Sequence, residues 1–591
     1  MALESYHILE LINQQFATRK DEIALDGYDC AKNWREVSWQ RLFSNSTTVA
    51  SYLIANGVEK QQTCAIMANN CPQWTVADIG CVKANAVVVP IYPTSTAEQV
   101  AYIVNDAKAK VIFVGQQAEY DLVKSIQAEC PSLQSVVCFD SKAHLSSADV
   151  YFDDLINHPA EVVPSLIDER MKRRNLDDLI TLIYTSGTTG NPKGVMLTHR
   201  NVASTIEQHD EMLPFVAGDV SLAFLPLSHV FERGWSYYVL ARGGKNVYLS
   251  NTMDVREALA KVRPHTMCVV PRFLEKIYST IYQRLASAPK LRQGLFNWAI
   301  NTGKKHANKQ YTFGLHTQRF IANKLVFSKI KELLGGRLKF MPAGGAALDA
   351  DIAEFFKAID VPVLVGYGMT ETTATITCNT LGNQVPGSNG KPLPRVQIKI
   401  GKDNEILVKG DTVMKGYYNL PEATNDTFED GWLKTGDAGY LDHDGNLFIT
   451  DRIKELMKTS NGKYIAPQRV EGKLGQSAMV EQVAVIADAK NYVSALIVPA
   501  YENLEAWAKQ KGINYQNKAE LLKHSLVLEM FEQKLKEVQH DLANFEKVKK
   551  FTLIVDAFSL EEGLITPTMK LKRKVINSRY AKEIAAMYGA S

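Results

Sequence analysis

The sequence LIYTSGTTGNPKGVMLTH, residues 182–199, determines how the rest of this 591-residue chain is interpreted. A β-rich apolar run enters it, a loop of Gly, Ser and Thr follows, and a second apolar run leaves it, which predicts a strand, a loop and a strand. The loop offers hydroxyl groups, backbone N–H groups and the ammonium of Lys193, with no acidic residue. Such groups suit the phosphate chain of a nucleotide, because amides, hydroxyls and a cation together surround anionic oxygens.

This segment is not the nucleotide-binding loop in which Gly-Lys-Ser/Thr opens a helix, because its glycines stand elsewhere and a strand follows. Its composition alone also leaves an ordinary surface hairpin open, since Gly, Ser, Thr, Asn and Pro are common in loops. The string 185–194, however, closely resembles the phosphate-binding signature of the AMP-forming acyl- and aryl-CoA synthetases, relatives of luciferase and of peptide-synthetase adenylation domains. The resemblance implies a catalytic role for Lys193 and nucleotide binding by Thr185, Ser186, Gly187, Thr188, Thr189 and Gly190.

Composition narrows the class of protein. A chain of 591 residues is too long for one core and implies several structural units. Its formal charge of +3 is nearly neutral for this size and offers no case for nucleic-acid binding. The cysteines include no Cys-x-x-Cys pair, which argues against a zinc knuckle or a disulfide framework and favours a reducing, cytoplasmic setting. Without a signal-peptide pattern or a long apolar run, any membrane contact would be peripheral, at the inner face of the cell membrane.

The order of apolar and polar segments predicts the architecture. Up to about residue 180, strand-like runs alternate with amphipathic segments, which indicates parallel sheets covered by helices. Over 387–450 the pattern changes to short strands separated by Gly, Asn and Pro turns, which predicts a small β-barrel. We therefore expect an α/β fold: a large N-terminal domain of doubly wound parallel sheets and a barrel over 1–450, then a smaller, mobile α+β domain over 451–591.

Two polar strings follow apolar runs in the expected large domain. FMPAGGAAL, residues 340–348, runs into glycines, where a planar base could approach the backbone. GYGMTET, residues 366–372, follows an apolar strand, and open α/β sheets place ligands at the carboxyl ends of their strands. The carboxylate of Glu371 beside the hydroxyl of Thr370 suits a hard cation bridging phosphate oxygens, although a purely structural carboxylate is the alternative.

Both strings match family signatures, as does LPLSHVFE at 225–232. The resemblance implies that Gly345, Ala346, Tyr367 and Gly368 hold adenine, that Thr370 donates to the α-phosphate and that Glu371 holds Mg²⁺. His229 would border the acyl pocket, although a histidine among apolar residues can equally be a packed core residue. In long-chain members an aromatic residue near this point gates the fatty-acid tunnel, which makes Trp235 a candidate acyl-site residue.

The C-terminal third carries the remaining signatures. Asp437 and Arg452 match the two family residues that contact the ribose hydroxyls. A carboxylate such as that of Asp437 can accept hydrogen bonds from both hydroxyls of a ribose diol. Asp451 matches the family's hinge residue between the two domains. The loop at Gly462 matches the family loop that lines the CoA channel. The basic string TPTMKLKR resembles the terminal signature of the long-chain branch, which implies that Lys570 is the catalytic adenylation lysine. Thr568-Met569 stands where that signature usually has Ser-Gly. An apolar stripe in a helix near 521–545, including Leu528 and Phe545, predicts core packing.

The resemblance covers essentially the whole chain and implies a long-chain fatty acid–CoA ligase. Its substrates would be ATP, a fatty acid and CoA, with Mg²⁺ as cofactor and an acyl-adenylate as intermediate. Residues 285–324 look like an insertion shared with long-chain enzymes. One alternative is a ligase that passes the acyl group from acyl-AMP to a carrier protein. A more distant alternative is a non-catalytic nucleotide or lipid sensor.

Overall fold

The computed structural model describes residues 3–158, 164–185, 191–308, 314–453, 456–566 and 570–589. It confirms the α/β class, with a large N-terminal part and a smaller C-terminal part. The helices up to residue 358 are α1 (Ile8–Arg19), α2 (Trp39–Ala55), α3 (Pro72–Lys83), α4 (Ala97–Ala107), α5 (Gln117–Ile126), α6 (Phe152–Asn157), α7 (Pro164–Lys172), α8 (His199–Met212), α9 (Val230–Ala241), α10 (Val255–Val262), α11 (Pro271–Ala286), α12 (Lys290–Ala307), α13 (Leu315–Ala322), α14 (Ser328–Leu333) and α15 (Ala350–Ala358).

The strands of the N-terminal part form two mainly parallel sheets and a third that extends the second. They are β1 (Ile23–Tyr28), β2 (Trp34–Ser38), β3 (Thr63–Met67), β4 (Val87–Ile91), β5 (Val111–Val114), β6 (Ser135–Cys138), β7 (Val150–Tyr151), β8 (Leu179–Thr185), β9 (Lys193–Thr198), β10 (Val220–Ala223), β11 (Lys245–Tyr248), β12 (Met341–Ala343), β13 (Val363–Tyr367), β14 (Thr377–Cys378) and β15 (Lys391–Pro392). With β18 (Gly416–Tyr417), the largest sheet has the order β18-β9-β8-β4-β3-β5-β6-β7.

The second sheet has the order β10-β11-β1-β2, and the third the order β12-β13-β14-β15. Parallel bridges from Ser221 to Thr266 and from Thr266 to Phe340 join the two. Helices cover the sheets, and the buried side chains between them form the main cores. The largest sheet is buried on both faces, which explains why strands such as β4 are apolar throughout.

Local sequence explains where two helices of the N-terminal part begin. Ser38 caps α2, its hydroxyl accepting a hydrogen bond from the Arg41 amide, as the sequence predicts. Thr198 and Asn201 form a reciprocal capping box at the start of α8. Because α8 begins directly after β9, this cap fixes how the hairpin β8–β9 leaves the sheet.

The segment from 397 to 452 is a five-stranded antiparallel sheet with a short helix. Its antiparallel character agrees with the predicted short strands and tight turns. The predicted β-barrel is not seen, because the pairings among the described strands of this segment form an open sheet. Its elements are β16 (Gln397–Ile400), β17 (Glu405–Lys409), α16 (Pro421–Thr427), β19 (Phe428–Glu429), β20 (Trp432–Leu441) and β21 (Leu447–Arg452). Asp451 and Arg452 are the last residues of β21, so they lie at the end of this sheet.

The C-terminal part has its own buried core around a three-stranded sheet of order β24-β25-β26. Its elements are β22 (Met457–Lys458), β23 (Tyr464–Ile465), α17 (Pro467–Leu474), β24 (Val480–Ile486), β25 (Val493–Pro499), α18 (Tyr501–Gln510), α19 (Lys518–Lys523), α20 (Ser525–Val538), β26 (Val548–Leu553), α21 (Arg573–Arg579) and α22 (Ala581–Met587).

The prediction of one long helix near 521–545 is wrong in its extent. It is divided into α19 and α20, and α20 ends at Val538. Leu528 and Phe545, which the periodicity assigned to the core, are 39% and 47% exposed, whereas Val527 and Met530 are buried. The break at His524, which caps α20, resets the helical phase, so the buried face differs from the one that an uninterrupted helix would present.

Helices α12, α13 and α14 carry apolar side chains on their outer surface. Leu291 and Phe320 are 87% and 70% exposed, and Leu333 is also exposed, as is Leu325 in the π-helical segment between α13 and α14. Among the helices of the described ranges, none combines the length and apolar character needed to cross a bilayer.

Candidate active site

The phosphate-loop segment is a hairpin between β8 and β9 at its described ends. Thr185 and Lys193 are paired across the two antiparallel strands, which agrees with the predicted strand, loop and strand. Ser186, Gly187, Thr188, Thr189 and Gly190, predicted to bind phosphate, lie outside the described residues. Lys193 therefore stands at the base of this hairpin, on its outgoing strand.

Tyr417 joins Lys193 to Glu371. Its hydroxyl donates a hydrogen bond of 2.9 Å to Glu371 Oε1, and the Lys193 ammonium lies 4.9 Å from the centre of its ring. Tyr417 belongs to β18, which pairs with β9, so sheet pairing brings it beside Lys193. Burial, followed by the Glu371 carboxylate, raises the pKa of Tyr417, which therefore stays a neutral hydrogen-bond donor.

Glu371 and Thr370 occupy a short 3₁₀-helix that begins three residues after β13 ends. Both are largely buried, which agrees with the sequence expectation that the strand delivers them to its carboxyl end. The Met414 amide donates a 2.8 Å hydrogen bond to the Glu371 carbonyl, tying this turn to the segment that precedes β18. The carboxylate thus lies between β13 and the edge of the largest sheet.

Three residues predicted to bind the nucleoside form one chain of hydrogen bonds. The Tyr367 hydroxyl donates to Asp437 Oδ2 over 2.6 Å, and Arg452 Nε donates to Asp437 Oδ1 over 2.9 Å. Tyr367 and Asp437 are buried. Burial, followed by the Asp437 charge, raises the pKa of Tyr367 well above its usual value, so Tyr367 remains a donor. Asp437 and Arg452 also face each other across β20 and β21, which sets their spacing.

Two of the predicted nucleotide-site glycines are required by the backbone. Gly345 has a φ of +87°, and a Cβ atom there would meet only Val270, at 3.8 Å. A Cβ atom at Gly368 would lie 2.1 Å from the Ala374 carbonyl oxygen, so no larger residue fits without moving the turn. Gly345 and Ala346 are exposed, which leaves their backbone open to a ligand.

His229 lies at the N-terminus of α9, next to this glycine turn. Its Nδ1 accepts a hydrogen bond from the Phe231 amide, and Phe231 lies 3.6 Å from the position of a Cβ atom at Gly344. Burial, and after it the Lys570 ammonium, lowers the pKa of His229 to about 4, so the imidazole is neutral near pH 7. The Lys570 ammonium belongs to the C-terminal part, and its charge is the second cause of this lowered pKa, after burial.

Lys570 is exposed on the surface of the C-terminal part. The Thr566 amide donates to the Lys570 carbonyl over 2.8 Å, and Ile565 pairs with Leu571. Arg573 then forms a bidentate ion pair with Glu471 on α17, at 2.7 and 2.8 Å. These contacts anchor the backbone on both sides of Lys570.

Trp235 is packed in an aromatic core. Its indole N–H donates to the Ser221 hydroxyl over 2.9 Å, and its ring contacts Phe215, Tyr238 and Phe340. These are the contacts of a core residue. Its acyl-site role stays a prediction from the resemblance.

Gly462 stands in the turn between β22 and β23. Its φ is +75°, and its amide donates to the Thr459 carbonyl over 2.9 Å. The turn requires this left-handed conformation, which glycine adopts without strain. Asp451 pairs through its backbone with Ala438, at the point where the last strand of the antiparallel sheet ends.

Sequence reasoning missed Tyr417 and the buried pair of Asp78 and Arg233. Arg233 Nε and Nη2 donate to both oxygens of Asp78, over 3.0 and 2.6 Å, and Nη1 donates to Thr181 Oγ1 over 2.7 Å. The pair thereby ties α9, which starts at His229, to β8, which leads into the phosphate loop. The sequence signal for it was the presence of two charged residues, Glu232 and Arg233, in a helix that is mostly apolar.

A bound magnesium ion would find one protein carboxylate here. No group of three or more His, Cys, Asp or Glu side chains in the described part of the chain could hold a metal ion. Glu371 alone nevertheless fits Mg²⁺, because this ion is commonly held by one or two carboxylates together with substrate phosphates and water.

Comparison with known proteins identifies relatives over nearly the whole chain. The profile of the AMP-binding enzyme family matches residues 12–418, and that of the AMP-binding enzyme C-terminal domain matches residues 454–591. The long-chain-fatty-acid–CoA ligase FadD15 of Mycobacterium bovis is 32% identical over 566 residues, which are 94% of this chain and 92% of the relative. The peroxisomal long chain acyl-CoA synthetase 7 of Arabidopsis thaliana is also 32% identical, over 94% of this chain and 82% of its own length.

The fold is shared with solved structures. The adenylation domain of a carboxylate reductase from Mycobacterium chelonae has a TM-score of 0.78 at 23% identity, covering 99% of this chain and 91% of that structure. At this identity, the likeness supports the fold alone.

Proposed function

The chain belongs to the AMP-binding enzyme family, and on that premise we propose that it is a long-chain fatty acid–CoA ligase. Its reaction would convert ATP, a fatty acid and CoA into acyl-CoA, AMP and diphosphate through an acyl-adenylate. The observation that best supports this function is the chain of hydrogen bonds joining Tyr367, Asp437 and Arg452 beside the open glycine turn. It supplies a carboxylate for a ribose diol and an aromatic ring for a base in one place.

In the first step the fatty carboxylate attacks the α-phosphate of ATP. Both reactants are anionic, so alignment and opposing charge lower the barrier more than covalent chemistry does. We assign the Lys193 and Lys570 ammonium groups to the developing negative charge and the Thr370 hydroxyl to the α-phosphate. The hairpin residues 185–190 are assigned to the phosphate chain, and Gly345, Ala346, Tyr367 and Gly368 to the adenine.

Magnesium is assigned to Glu371. When bound, Mg²⁺ would supply positive charge to the phosphate oxygens of ATP. The Tyr417 hydroxyl, 2.9 Å from Glu371 Oε1, orients the carboxylate and keeps one of its oxygens satisfied.

In the second step the CoA thiolate attacks the acyl carbonyl and AMP leaves. We propose that the domain over 451–591 rotates about Asp451, withdraws Lys570 and brings the Gly462 loop to the CoA channel of the domain over 1–450. The position of Asp451 at the end of β21 suits a hinge, because the sheet ends there and the separate core of the C-terminal part begins just beyond it.

The acyl group is assigned to the side of the nucleotide where His229 lies. A neutral imidazole there presents no charge to an apolar chain. Trp235 is assigned to the wall beyond it, where a substitution would change chain-length preference rather than adenylate chemistry.

We place the enzyme in the cytoplasm, in peripheral contact with the inner face of the cell membrane. Exposed Leu291 and Phe320 would enter the lipid interface, and the neighbouring exposed Lys290, Arg292 and Lys324 would attract anionic headgroups. Sedimentation with vesicles rich in anionic lipid tests this placement. Binding that is unchanged in Leu291→Ser and Phe320→Ser variants would contradict it.

Two assays on a series of fatty acids test the function. Exchange of labelled pyrophosphate into ATP that depends on a fatty acid reports adenylate formation, and thioester release reports the second step. Free CoA should accept the acyl group. Transfer only to a carrier-protein thiol would identify the alternative ligase, and absence of exchange with every acid would favour a non-catalytic sensor.

A further inference from the structure

Arg272 connects the two parts of the molecule through backbone carbonyls. It lies at the start of α11 in the N-terminal part. Its guanidinium donates to the carbonyl oxygens of Gly475, Val480 and Glu481 over 3.0, 3.2 and 2.8 Å. All three carbonyls belong to the turn between α17 and β24 or to the start of β24, so one side chain holds this corner of the C-terminal part.

Asp349 makes a second connection with the same corner. Its Oδ2 accepts hydrogen bonds from Lys473 Nζ and Gln476 Nε2, both over 2.9 Å. Lys473 also pairs with Asp541 within the C-terminal part, so its ammonium bridges a carboxylate of each part. Asp349 Oδ1 meanwhile accepts from the Asp351 amide and caps α15. We call this set of contacts, made by Arg272, Asp349, Lys473 and Gln476, the polar latch.

Both large-domain members of the latch border the proposed adenine site. Asp349 follows Gly345 by four residues, through the exposed glycine turn. Val270, two residues before Arg272, supplies the atom nearest to a Cβ position at Gly345, at 3.8 Å. A nucleotide against this turn would therefore contact the same two segments that hold the C-terminal part.

The latch contacts hold the corner between α17 and β24 against the segments that flank the glycine turn at Gly345. We propose that Arg272 and Asp349 are positioning residues that hold the C-terminal domain in its adenylate-forming orientation, and that their contacts break before CoA reacts. This inference rests on the proposed two-step function. Bonds suited to such a role are directional yet accessible to water, and the Arg272 side chain is 46% exposed.

The latch can be weakened without disturbing the core. Arg272→Ala removes three interdomain hydrogen bonds. Asp349→Asn leaves an oxygen to cap α15 but places an amide donor against Lys473 and Gln476. Each variant is expected to form the acyl-adenylate about tenfold more slowly, equivalent to about 1.4 kcal/mol. Thioester formation from supplied acyl-AMP and CoA should be unchanged or faster, because the orientation needed for that step is no longer opposed.

Matched controls separate the latch from general effects of charge. Glu354, also on α15, accepts from Lys304 and Asn308 within the large domain, over 2.7 and 3.0 Å. Arg395 pairs with Glu207 and Glu211 in the same domain. Glu354→Gln and Arg395→Ala should leave both half-reactions near wild type. Equal losses in both half-reactions of the latch variants, or equal effects in the controls, would overturn the proposal.

A structural measurement tests the latch without relying on catalysis. Small-angle X-ray scattering of the full chain with AMP should show a broader distribution of interdomain distances in the Arg272→Ala, Asp349→Asn double variant than in wild type. Identical scattering profiles would overturn the latch. Failure of the wild-type chain to form adenylate from any fatty acid would instead overturn the proposed function. The scattering experiment would still test the latch, because it does not depend on catalysis.

Discussion

The proposed nucleoside site and the surroundings of Lys570 are built in opposite ways. In the cleft, Tyr367 and Asp437 are buried and joined by a 2.6 Å hydrogen bond, and Arg452 is held by strand pairing. Lys570, in contrast, is exposed on the surface of the C-terminal part. The difference indicates that groups needed in both proposed steps belong to a buried, hydrogen-bonded site. The group needed in only one step is carried by a part that is held through water-accessible polar contacts.

The largest expected effect tests the one-step role of Lys570. Lys570→Ala should slow acyl-adenylate formation by roughly 10³-fold, because a charge opposing the developing phosphate charge is lost. Thioester formation from supplied acyl-AMP should be largely spared. The two half-reactions are measured separately, with Lys582→Ala, an exposed lysine on α22, as the control. Equal loss in both half-reactions would show that the assignment of Lys570 is wrong.

A change in the cleft should instead affect both steps. Asp437→Ala should raise the KM for ATP by about 10²-fold, since a carboxylate for the ribose is lost and the buried Tyr367 hydroxyl is left without its acceptor. Binding of AMP, measured by calorimetry, should weaken in parallel. Asp444→Ala, on the exposed turn between β20 and β21, serves as the control. A normal affinity for AMP in Asp437→Ala would place the ribose elsewhere.

Acid should weaken the large domain through its buried histidines. Burial lowers the pKa values of His199 and His209, both on α8, to about 4. Each lies below the unfolded value near 6.5, so the unfolded chain binds more protons between pH 6.5 and 4, and stability falls as the pH falls through this range. The free energy of unfolding should fall between pH 7 and pH 5 in both proteins. The fall should be about 2 kcal/mol smaller in His209→Gln than in wild type, because the variant lacks this buried imidazole. Parallel losses in denaturant titrations would contradict this.

The smallest expected effect concerns the support of Glu371. Tyr417→Phe keeps the ring beside Lys193 but removes the hydrogen bond to Glu371, so about three- to tenfold more Mg²⁺ should be required. Glu371→Gln should raise the requirement further. Calorimetric binding of MgATP complements the exchange assay, and Tyr418→Phe is the control from the adjacent position. An unaltered metal titration for both Tyr417→Phe and Glu371→Gln would remove Glu371 from the magnesium site.

Local patterns predicted the elements of the site well. The strand pair that carries Thr185 and Lys193 and the strand ending at Tyr367 occur where the sequence placed them. Such features depend on residues close in the chain, for which turn chemistry and strand periodicity are informative. The stripe near 521–545 failed for the converse reason, because a cap at His524 interrupted the assumed helix.

Contacts between distant segments could not be predicted in this way. Tyr417 is 46 residues from Glu371, and Asp78 is 155 residues from Arg233. Nothing in the spacing of these residues indicates that they touch. Their contacts follow from the order of strands in the largest sheet and from the packing of α3 against α9.

The amino-acid sequence by itself determined the α/β class, the signatures of an AMP-binding enzyme and most residues of the proposed site. These features depend on residues that are close together in the sequence, at loops and strand ends, so they can be recognised without the tertiary structure. Only the tertiary structure decided that Tyr417 contacts Glu371 and that Arg272 and Asp349 contact the C-terminal part. These pairings depend on sheet order and on the contact between two separately folded cores, where side chains far apart in the chain are brought within hydrogen-bonding distance.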